Sequence, residues 1–137
     1  MAVTPTDAAL YNARRRHRLF RMVSAFRDTG LVASPHDFGS VAADASSSSG
    51  LTLPQTAEFA VALDAAWTAG EISLEDNAGQ AVAGRGGAAG EIVRIAGRFP
   101  RGRILQVARA LGAPAGAFSL YLVGQDRPVL VGSATFT

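Results

Sequence analysis

Hydrophobic and polar residues alternate through most of the second half of the chain. Four such segments are EIVRIAGRF (91–99), RILQVARAL (103–111), AFSLYLVG (117–124) and PVLVGSATF (128–136), with Gly- and Pro-containing turns between them. Alternation is typical of half-buried strands, and strands that recur about every 12 residues predict an antiparallel β-sandwich or jelly-roll-like sheet. The last two segments predict a terminal hairpin, while RILQVARAL alone also fits a short helix.

The segment TLPQTAEFAVALDAAWTA (52–69) fits two structures. Thr52 and Gln55 have the spacing of a helix capping box, and alanine favours helix. A strand is favoured instead by five alternating hydrophobic positions: Phe59, Val61, Leu63, Ala65 and Trp67. We prefer the strand, because a turn and a second alternating stretch at 71–76 follow it. The aromatic residues expected in the core are Phe59, Trp67, Phe99, Phe118 and Tyr121.

The N-terminal segment 5–29 predicts a helix. Pro5, Thr6 and Asp7 resemble a helix start, and Gly30 a helix stop. Hydrophobic residues fall on one face at helical spacing, namely Leu19, Met22, Val23 and Phe26. The alternative is a strand over 17–26, since some of these positions also share a parity.

Two polar or glycine-rich stretches predict irregular structure, 33–50 and 77–90. The chain then divides into an arginine-rich helical segment (1–33), a Ser/Asp/Gly-rich linker or arm (34–50) and a β domain (51–137). The expected fold class is therefore mainly β with an N-terminal helix (α+β), built as an antiparallel sandwich. A long connection of this kind is usually functional or mobile, and we expect it to lie against a neighbouring subunit.

The composition describes a weakly charged globular chain of 137 residues, 48% hydrophobic and 18% charged, with a net charge of +2. A surface with so little charge predicts partial coverage by partners, although a codon bias towards Ala, Gly and Arg explains the composition equally well. All 13 basic residues are arginine, and no cysteine occurs, which excludes disulfides and thiol chemistry. No stretch approaches the roughly 18 apolar residues of a membrane span, so we expect no membrane partner.

The densest group of charges is an arginine cluster near the N-terminus. Its members are Arg14, Arg15, Arg16, Arg18 and Arg21. Guanidinium groups bind phosphate backbones and also pair with carboxylates across subunit interfaces. Three roles therefore remain open for this cluster: a solvated helix face, a protein interface or a nucleic-acid contact.

Catalytic chemistry is not predicted. The sequence GRGGAAG (84–90) resembles a phosphate-binding loop, but a predicted strand rather than a helix follows it. His17 lies within the arginine run, and His36 is adjacent to Asp37 in sequence, which is a poor arrangement for a base and its orienting group. We therefore expect a non-enzymatic protein with no catalytic residues, no metal site and no cofactor.

Three stretches of the C-terminal half resemble small bacteriophage virion proteins. They are RFPRGRIL (98–105), LGAPAGAFSLYLVG (111–124) and VLVGSATF (129–136), which share the order strand, Pro-x-Gly turn, strand, Leu-Gly-Ala bend, strand and strand. The resemblance implies a capsid-decorating, head-fibre or connector-like structural subunit located in the virion and assembled in the host cytoplasm. It carries over no catalytic residues.

The terminal segment 118–137 has two interpretations. It forms either the last hairpin of a closed sandwich or an edge strand completed by another subunit, with Val129, Val131 and Phe136 as the pairing candidates. The expected partners are further copies of the chain or other virion proteins. The alternative function is a small nucleic-acid-binding protein that uses the arginines between residues 14 and 21.

Overall fold

The computed structural model describes residues 22–124 and 127–137. Residues 22–28 are helical, and this described part of the chain is otherwise mainly strand and turn. The strands are β1 (His36–Val41), β2 (Ala45–Ser46), β3 (Leu51–Thr52), β4 (Ala57–Leu63), β5 (Trp67–Thr68), β6 (Ile72–Asp76), β7 (Ala81–Ala83), β8 (Gly86–Gly87), β9 (Val93–Phe99), β10 (Ile104–Arg109), β11 (Gly116–Leu122) and β12 (Val129–Phe136). Among the described residues, no helix has the length and apolar character needed to cross a membrane.

Five strands form one sheet, called sheet I, in the order β1-β12-β11-β4-β9. Neighbouring strands are antiparallel except β1 and β12, which run parallel. In the central strand β4, Phe59, Val61 and Leu63 are fully buried, and the residues between them face the other side of the sheet. This is the period of two that places alternate side chains of a strand in the core.

The second sheet, called sheet II, is centred on β10. This strand pairs with β2 and β3 on one side and with β6 on the other, and β7 pairs with β6. Leu105 and Val107 are fully buried on its inner side. A short ribbon pairs β5 with β8, in which Trp67 is in register with Gly87.

The chain crosses repeatedly between the two sheets. β3 lies in sheet II, β4 in sheet I, β6 and β7 in sheet II, β9 in sheet I, β10 in sheet II and β11 in sheet I. The two sheets therefore form a β-sandwich whose strand pairs are antiparallel except for β1 with β12. The expected fold class, mainly β with an N-terminal helix, is therefore confirmed.

Aromatic side chains fill the space between the sheets. Phe118 and Phe136 stack with their ring centroids 5.3 Å apart, and Phe59 lies 6.1 Å from Phe99. Trp67 is also buried. The expectation that Tyr121 belongs to the core is wrong, because Tyr121 is half-buried between the inward-facing Leu120 and Leu122 and points to the outer side of β11.

The helical residues 22–28 pack against the core through Met22 and Phe26. Phe26 is fully buried and contacts Phe59 edge-on, with 6.3 Å between ring centroids. Gly30 has a φ of 82°, a conformation that favours glycine just beyond a helix end. The predicted helix is confirmed over 22–28 and the strand alternative is wrong over 22–26; the remainder of both predictions lies outside the described residues.

The expectation of irregular structure at 33–50 is wrong, because the segment contains β1 and β2. Phe38 and Val41 are buried on the inner side of β1. The two-residue period is lost because Gly39 has a φ of 80° and the register with β12 shifts at this point. A bulge of this kind hides a strand from a search for strict alternation.

The two remaining helix alternatives are also wrong. Residues 57–63 form β4 and residues 104–109 form β10, so the preferred strand interpretations are confirmed. In β10 the inward positions are occupied by Leu105, Val107 and Arg109, and tertiary pairing with β6 extends over the whole strand. The glycine-rich stretch 77–90 differs from its prediction as well, since it contains β7 and β8.

The C-terminal hairpin of β11 and β12 is confirmed, but β12 is not an edge strand. From Gly132 to Phe136 it is paired on one side with β11 and on the other with β1. Val131 and Phe136 are buried in the core and Val129 packs against it. The proposal of an edge completed by another subunit is therefore wrong for Phe136, where the chain's own strand β1 covers β12. The register with β1 begins at Gly132, so pairing of Val129 and Val131 with another subunit stays a prediction.

Candidate interaction surface

The outer face of sheet I is built from small and uncharged side chains at its centre. Cross-strand register joins these positions into rows, for example Ala62 with Ser119 and Ser119 with Ser133. The central strands β4, β11 and β12 place the following residues on this face: Ala60, Ala62, Ala117, Ser119, Tyr121, Leu130, Ser133 and Thr135. We call this set the neutral face.

The alanines of the neutral face lie flush with the backbone. Ala60 is 4% exposed and Ala62 is 7% exposed, although both point away from the core. Larger neighbours shield them, since Ala60 is in register with Tyr121 on one side and Arg94 on the other. The result is a flat surface. A sheet face exposed to solvent normally carries polar side chains instead, many of them long and charged.

One end of this face is basic. Arg94 and Arg98 of β9 contact the same carboxylate, with nitrogen–oxygen distances to Glu58 of 2.7 Å and 3.5 Å. Together with Arg85, Ala96 and Gly97 they line an open depression of about 610 Å³, which we call the arginine depression. Two guanidinium groups therefore share one carboxylate here, and a third arginine lines the same depression.

Two carboxylates lie at the margins of this face, one at the far end of β4 and one on the edge strand β1. Asp64 follows β4 directly, and its Oδ1 accepts a hydrogen bond of 2.9 Å from the backbone N–H of Ala117. Asp37 of β1 is in register with Ser133, and its Oδ1 accepts a 2.9 Å bond from the N–H of Gly39. Both carboxylates are exposed, and within the described residues neither is paired with an arginine.

The side chain of His36 makes contacts that stabilise the fold. Its Nε2 lies 2.8 Å from the hydroxyl of Ser49, and its ring contacts Phe38 edge-on at 4.7 Å between centroids. Burial lowers the pKa of His36, although the nearby Asp37 carboxylate opposes this change. The contact with Ser49 fastens the loop after β2 to β1. His17 lies outside the described residues.

Asp76 holds the turn between β6 and β7. Its carboxylate accepts hydrogen bonds of 2.9 Å from the N–H groups of Ala78 and Gln80, and Arg103 donates a third at 3.2 Å. Desolvation acts to raise the pKa of Asp76, but these donors and the positive charge of Arg103 outweigh it and lower the pKa. The side chain therefore clamps a turn to the neighbouring strand.

Arg109 is a buried cation that fastens the two sheets together. It donates hydrogen bonds to the carbonyl oxygens of Val41, at 2.8 Å, and Ala113, at 3.0 Å. Its guanidinium carbon lies 5.2 Å from the centre of the Phe136 ring, within the range of a cation–π contact. The contacts with Val41, Ala113 and Phe136 are all within the sandwich, so this arginine stabilises the fold and is not part of the surface.

The arginines expected to form the functional cluster are Arg14, Arg15, Arg16, Arg18 and Arg21, and all five lie outside the described residues. In the described part of the chain, no three histidine, aspartate or glutamate side chains come together as a metal site would require. The neutral face was not predicted from the sequence, although its signal was present in the small residues that separate Phe59, Val61 and Leu63. The arginine depression was not predicted either, because Arg85 lies between β7 and β8 and only the fold brings it next to Arg94 and Arg98 of β9.

Comparison with known protein families, with curated proteins and with solved structures found no match for this chain. We therefore infer the function from the surfaces of the molecule itself.

Proposed function

We propose that this protein is a non-enzymatic structural subunit of a phage-like particle, in a capsid-decorating, head-fibre or connector role, and that it acts through subunit–subunit contacts. β-Sandwiches serve many unrelated functions, so the fold alone does not select one. The observation that carries the proposal is the neutral face. A flat surface with no charge at its centre loses little solvation energy when a second surface covers it.

The resemblance of 98–136 to small virion proteins supports the same role. Those stretches contain the end of β9, the start of β10 and the whole of β11 and β12, and the hairpin of β11 and β12 belongs to sheet I. The low proportion of charged residues, 18%, also favours a chain that buries part of its surface in an assembly.

The test is the state of association of the purified full-length chain. We expect light scattering to detect a species larger than the monomer, with a mass that rises with protein concentration. Ser119→Lys introduces a long charged side chain at the centre of the neutral face and is expected to weaken association at least about tenfold, which corresponds to about 1.4 kcal/mol. Ser73→Lys, at a half-buried position on β6 of sheet II, is the matched control and should leave association unchanged.

Two results would contradict the proposal. The first is a wild-type chain that stays monomeric at every concentration, and the second is an equal loss of association in both lysine variants. A far-ultraviolet circular dichroism spectrum unchanged from wild type confirms that each variant is folded.

The alternative function is nucleic-acid binding, and the observation that favours it is the presence of five arginines between residues 14 and 21. Phosphate contacts make binding steeply dependent on salt, and alanine at these five positions would abolish it. A short double-stranded DNA oligonucleotide tested by fluorescence anisotropy at two salt concentrations separates the functions. Absent or salt-independent binding removes the alternative.

A further inference from the structure

We propose that the arginine depression is a binding site for a terminal phosphate group, either free phosphate or the phosphate of a monoester. This inference goes beyond the proposed function. It assigns a ligand to a surface whose lining residues are not part of the neutral face, and it needs no second copy of the chain.

The depression lies at an irregularity in the pairing of β4 with β9. Glu58 is in register with Arg98. Two residues further along β4, Ala60 is in register with Arg94, so β9 advances four residues where β4 advances two. Bulges are common at sheet edges, where they redirect side chains, and β9 is an edge strand of sheet I. Arg94 and Arg98 both point to the outer side, and the short side chain of Ala96 leaves space between them.

β7 and the residues after it bring a third arginine to the depression. The backbone of β9 at Gly97 lies against Val82 of β7, since a Cβ built on this glycine would be 2.8 Å from Val82 Cγ2. Arg85 follows β7 and lines the depression. The backbone beside Arg85 is held in place, because the N–H of Gly84 donates a 2.8 Å hydrogen bond to the carbonyl of Ile72. The arginines therefore reach the depression from two segments whose positions are set by packing and hydrogen bonds.

The guanidinium groups keep hydrogen-bond donors that a ligand can use. Each guanidinium group has five N–H donors. Within the described residues, Arg94 and Arg98 each form one ion pair, both with Glu58, and Arg85 forms none. The side chains of Arg94 and Arg98 are 55% and 47% exposed, so their remaining donors are accessible from solvent.

The charge of the lining side chains matches that of a dianion. Three arginines and one glutamate line the depression, which gives a formal charge of +2. A phosphate monoester carries about 1.5 to 2 negative charges at neutral pH and has three strong acceptor oxygens. A carboxylate has a single charge and two oxygens, and Glu58 already supplies such a group between Arg94 and Arg98. Three guanidinium groups that approach from two segments are therefore better matched by a tetrahedral phosphate than by a second carboxylate.

The size of the depression allows more than a phosphate ion. Its volume of about 610 Å³ is within the range of about 300–1,000 Å³ that is usual for small-molecule sites. An open site of this volume leaves room for the group to which the phosphate is esterified. Because the site is open to solvent, its charge interactions are screened, and we expect a dissociation constant on the order of 1 mM.

The experiment is a titration of the full-length chain with inorganic phosphate and with methyl phosphate at mildly alkaline pH and constant ionic strength. Binding is followed through the backbone amide signals in NMR spectra, and the signals of residues 94–98 should shift. Arg85→Ala and Arg98→Ala should each raise the dissociation constant at least about tenfold, because each removes a charged donor. The matched control is Arg27→Ala, which removes an exposed arginine outside the depression and should bind as wild type does.

A variant with the opposite expected effect is Glu58→Gln. It raises the formal charge of the lining side chains and removes the anion that competes for Arg94 and Arg98, so phosphate should bind at least about threefold tighter. Asp28→Asn makes the same change in net charge at an exposed position outside the depression and should leave binding unchanged. Circular dichroism confirms that every variant is folded.

The two probes distinguish the sources of the phosphate group. Tighter binding of methyl phosphate assigns the site to a monoester, whereas equal or tighter binding of inorganic phosphate assigns it to the free ion, and both results support the inference. Acetate and dimethyl phosphate, each with one negative charge, should bind at least about tenfold more weakly than methyl phosphate.

Four results would overturn the inference. The first is a wild-type chain that binds neither phosphate probe, and the second is binding that both arginine variants retain. The third is an equal effect of Glu58→Gln and Asp28→Asn, which would mean that only the overall charge matters. The fourth is equally tight binding of acetate or dimethyl phosphate, which would indicate a site for acidic peptides or for the phosphodiesters of nucleic acids. None of these results depends on association of the chain, so the proposed function is tested separately.

Discussion

The two outer faces of the sandwich differ in how their polar side chains are used. On sheet II these side chains bond to neighbouring segments of the same chain: Gln106 donates a 2.8 Å bond to the carbonyl of Ser47, and the hydroxyl of Ser46 in β2 donates to Glu75 in β6. On sheet I the centre of the outer face carries alanine, serine and threonine, and the charges of the described residues lie at its margins. Sheet II is completed by intramolecular hydrogen bonds, whereas sheet I keeps a flat surface suited to a partner.

The difference extends to what holds each sheet in place. The outermost strand of sheet I, β1, is anchored by the burial of Phe38 and Val41, while the β6–β7 turn of sheet II is anchored by the carboxylate of Asp76. Apolar burial does not depend on pH, but a carboxylate clamp does. The two sheets should therefore respond differently to mutation and to acid.

The largest effect is expected from Phe38→Ala in β1. The side chain is fully buried, and Gly132 of β12 lies so close to it that a Cβ built there would be 2.6 Å from Phe38 Cε2. Removing the ring leaves a cavity between β1 and β12, and buried Phe→Ala changes typically lower the free energy of unfolding by about 3–5 kcal/mol. Urea denaturation measures this loss, which should be the same at neutral and mildly acidic pH.

The control for this change is Ser40→Ala on the same strand, where the side chain is exposed and a change within about 0.5 kcal/mol is expected. A small effect of Phe38→Ala would mean that β1 contributes little to the sheet. The interpretation of β12 as a covered strand would then be wrong.

A smaller, pH-dependent effect is expected at Asp76 of sheet II. Because its pKa is lowered in the folded protein, the unfolded chain takes up a proton first as the pH falls. The stabilisation from this carboxylate is therefore complete above its ordinary pKa of 3.8 and is lost as the pH falls through the lower folded value. Asp76→Asn should lower stability at neutral pH and reduce the slope of stability against pH in the acid range, as measured by urea denaturation at several pH values.

Asp28→Asn is the control for this measurement, since that aspartate is exposed on the helical segment. An unchanged slope in Asp76→Asn would show that the clamp does not contribute to acid sensitivity. The two sheets would then not differ in how their stability depends on pH.

The smallest effect is expected at His36, on β1 of sheet I. Burial lowers its pKa below the ordinary 6.5, so the unfolded state binds a proton more readily than the folded state. Its contribution to stability is present above pH 6.5 and is lost as the pH falls through the lower folded pKa. His36→Gln keeps a hydrogen-bonding group near Ser49 and should flatten this part of the stability curve, which thermal unfolding at a series of pH values detects. Identical curves for the variant and the wild type would contradict it.

Much of the architecture was readable from periodicity. The strands at 57–63, 72–76, 93–99, 104–109, 116–122 and 129–136 all lie within segments predicted from alternation and turn residues. The strands that were missed are short or bulged. Gly39 interrupts the alternation of β1, and β7 and β8 lie in a glycine-rich stretch whose composition indicates a loop.

The neutral face was harder to predict from the sequence. Alanine and serine between the core residues of β4 and β11 are visible in the sequence, but their significance depends on which strands become neighbours. Register places Ala62 beside Ser119, across more than 50 residues of chain, while the predicted hairpin places Ser133 on the other side of Ser119. No local pattern encodes the first of these adjacencies.

The sequence by itself determined the class of fold, the hairpin at the C-terminus and the aromatic core, because burial imposes a period of two on each strand wherever the strand lies. Only the tertiary structure decided that β1 pairs with β12 and that Arg94 and Arg98 share the Glu58 carboxylate. It also decided that uncharged positions from three strands join into one face. The physical reason is that strand order is set by long-range pairing and packing, which depend on the whole chain and not on the spacing of residues within one segment.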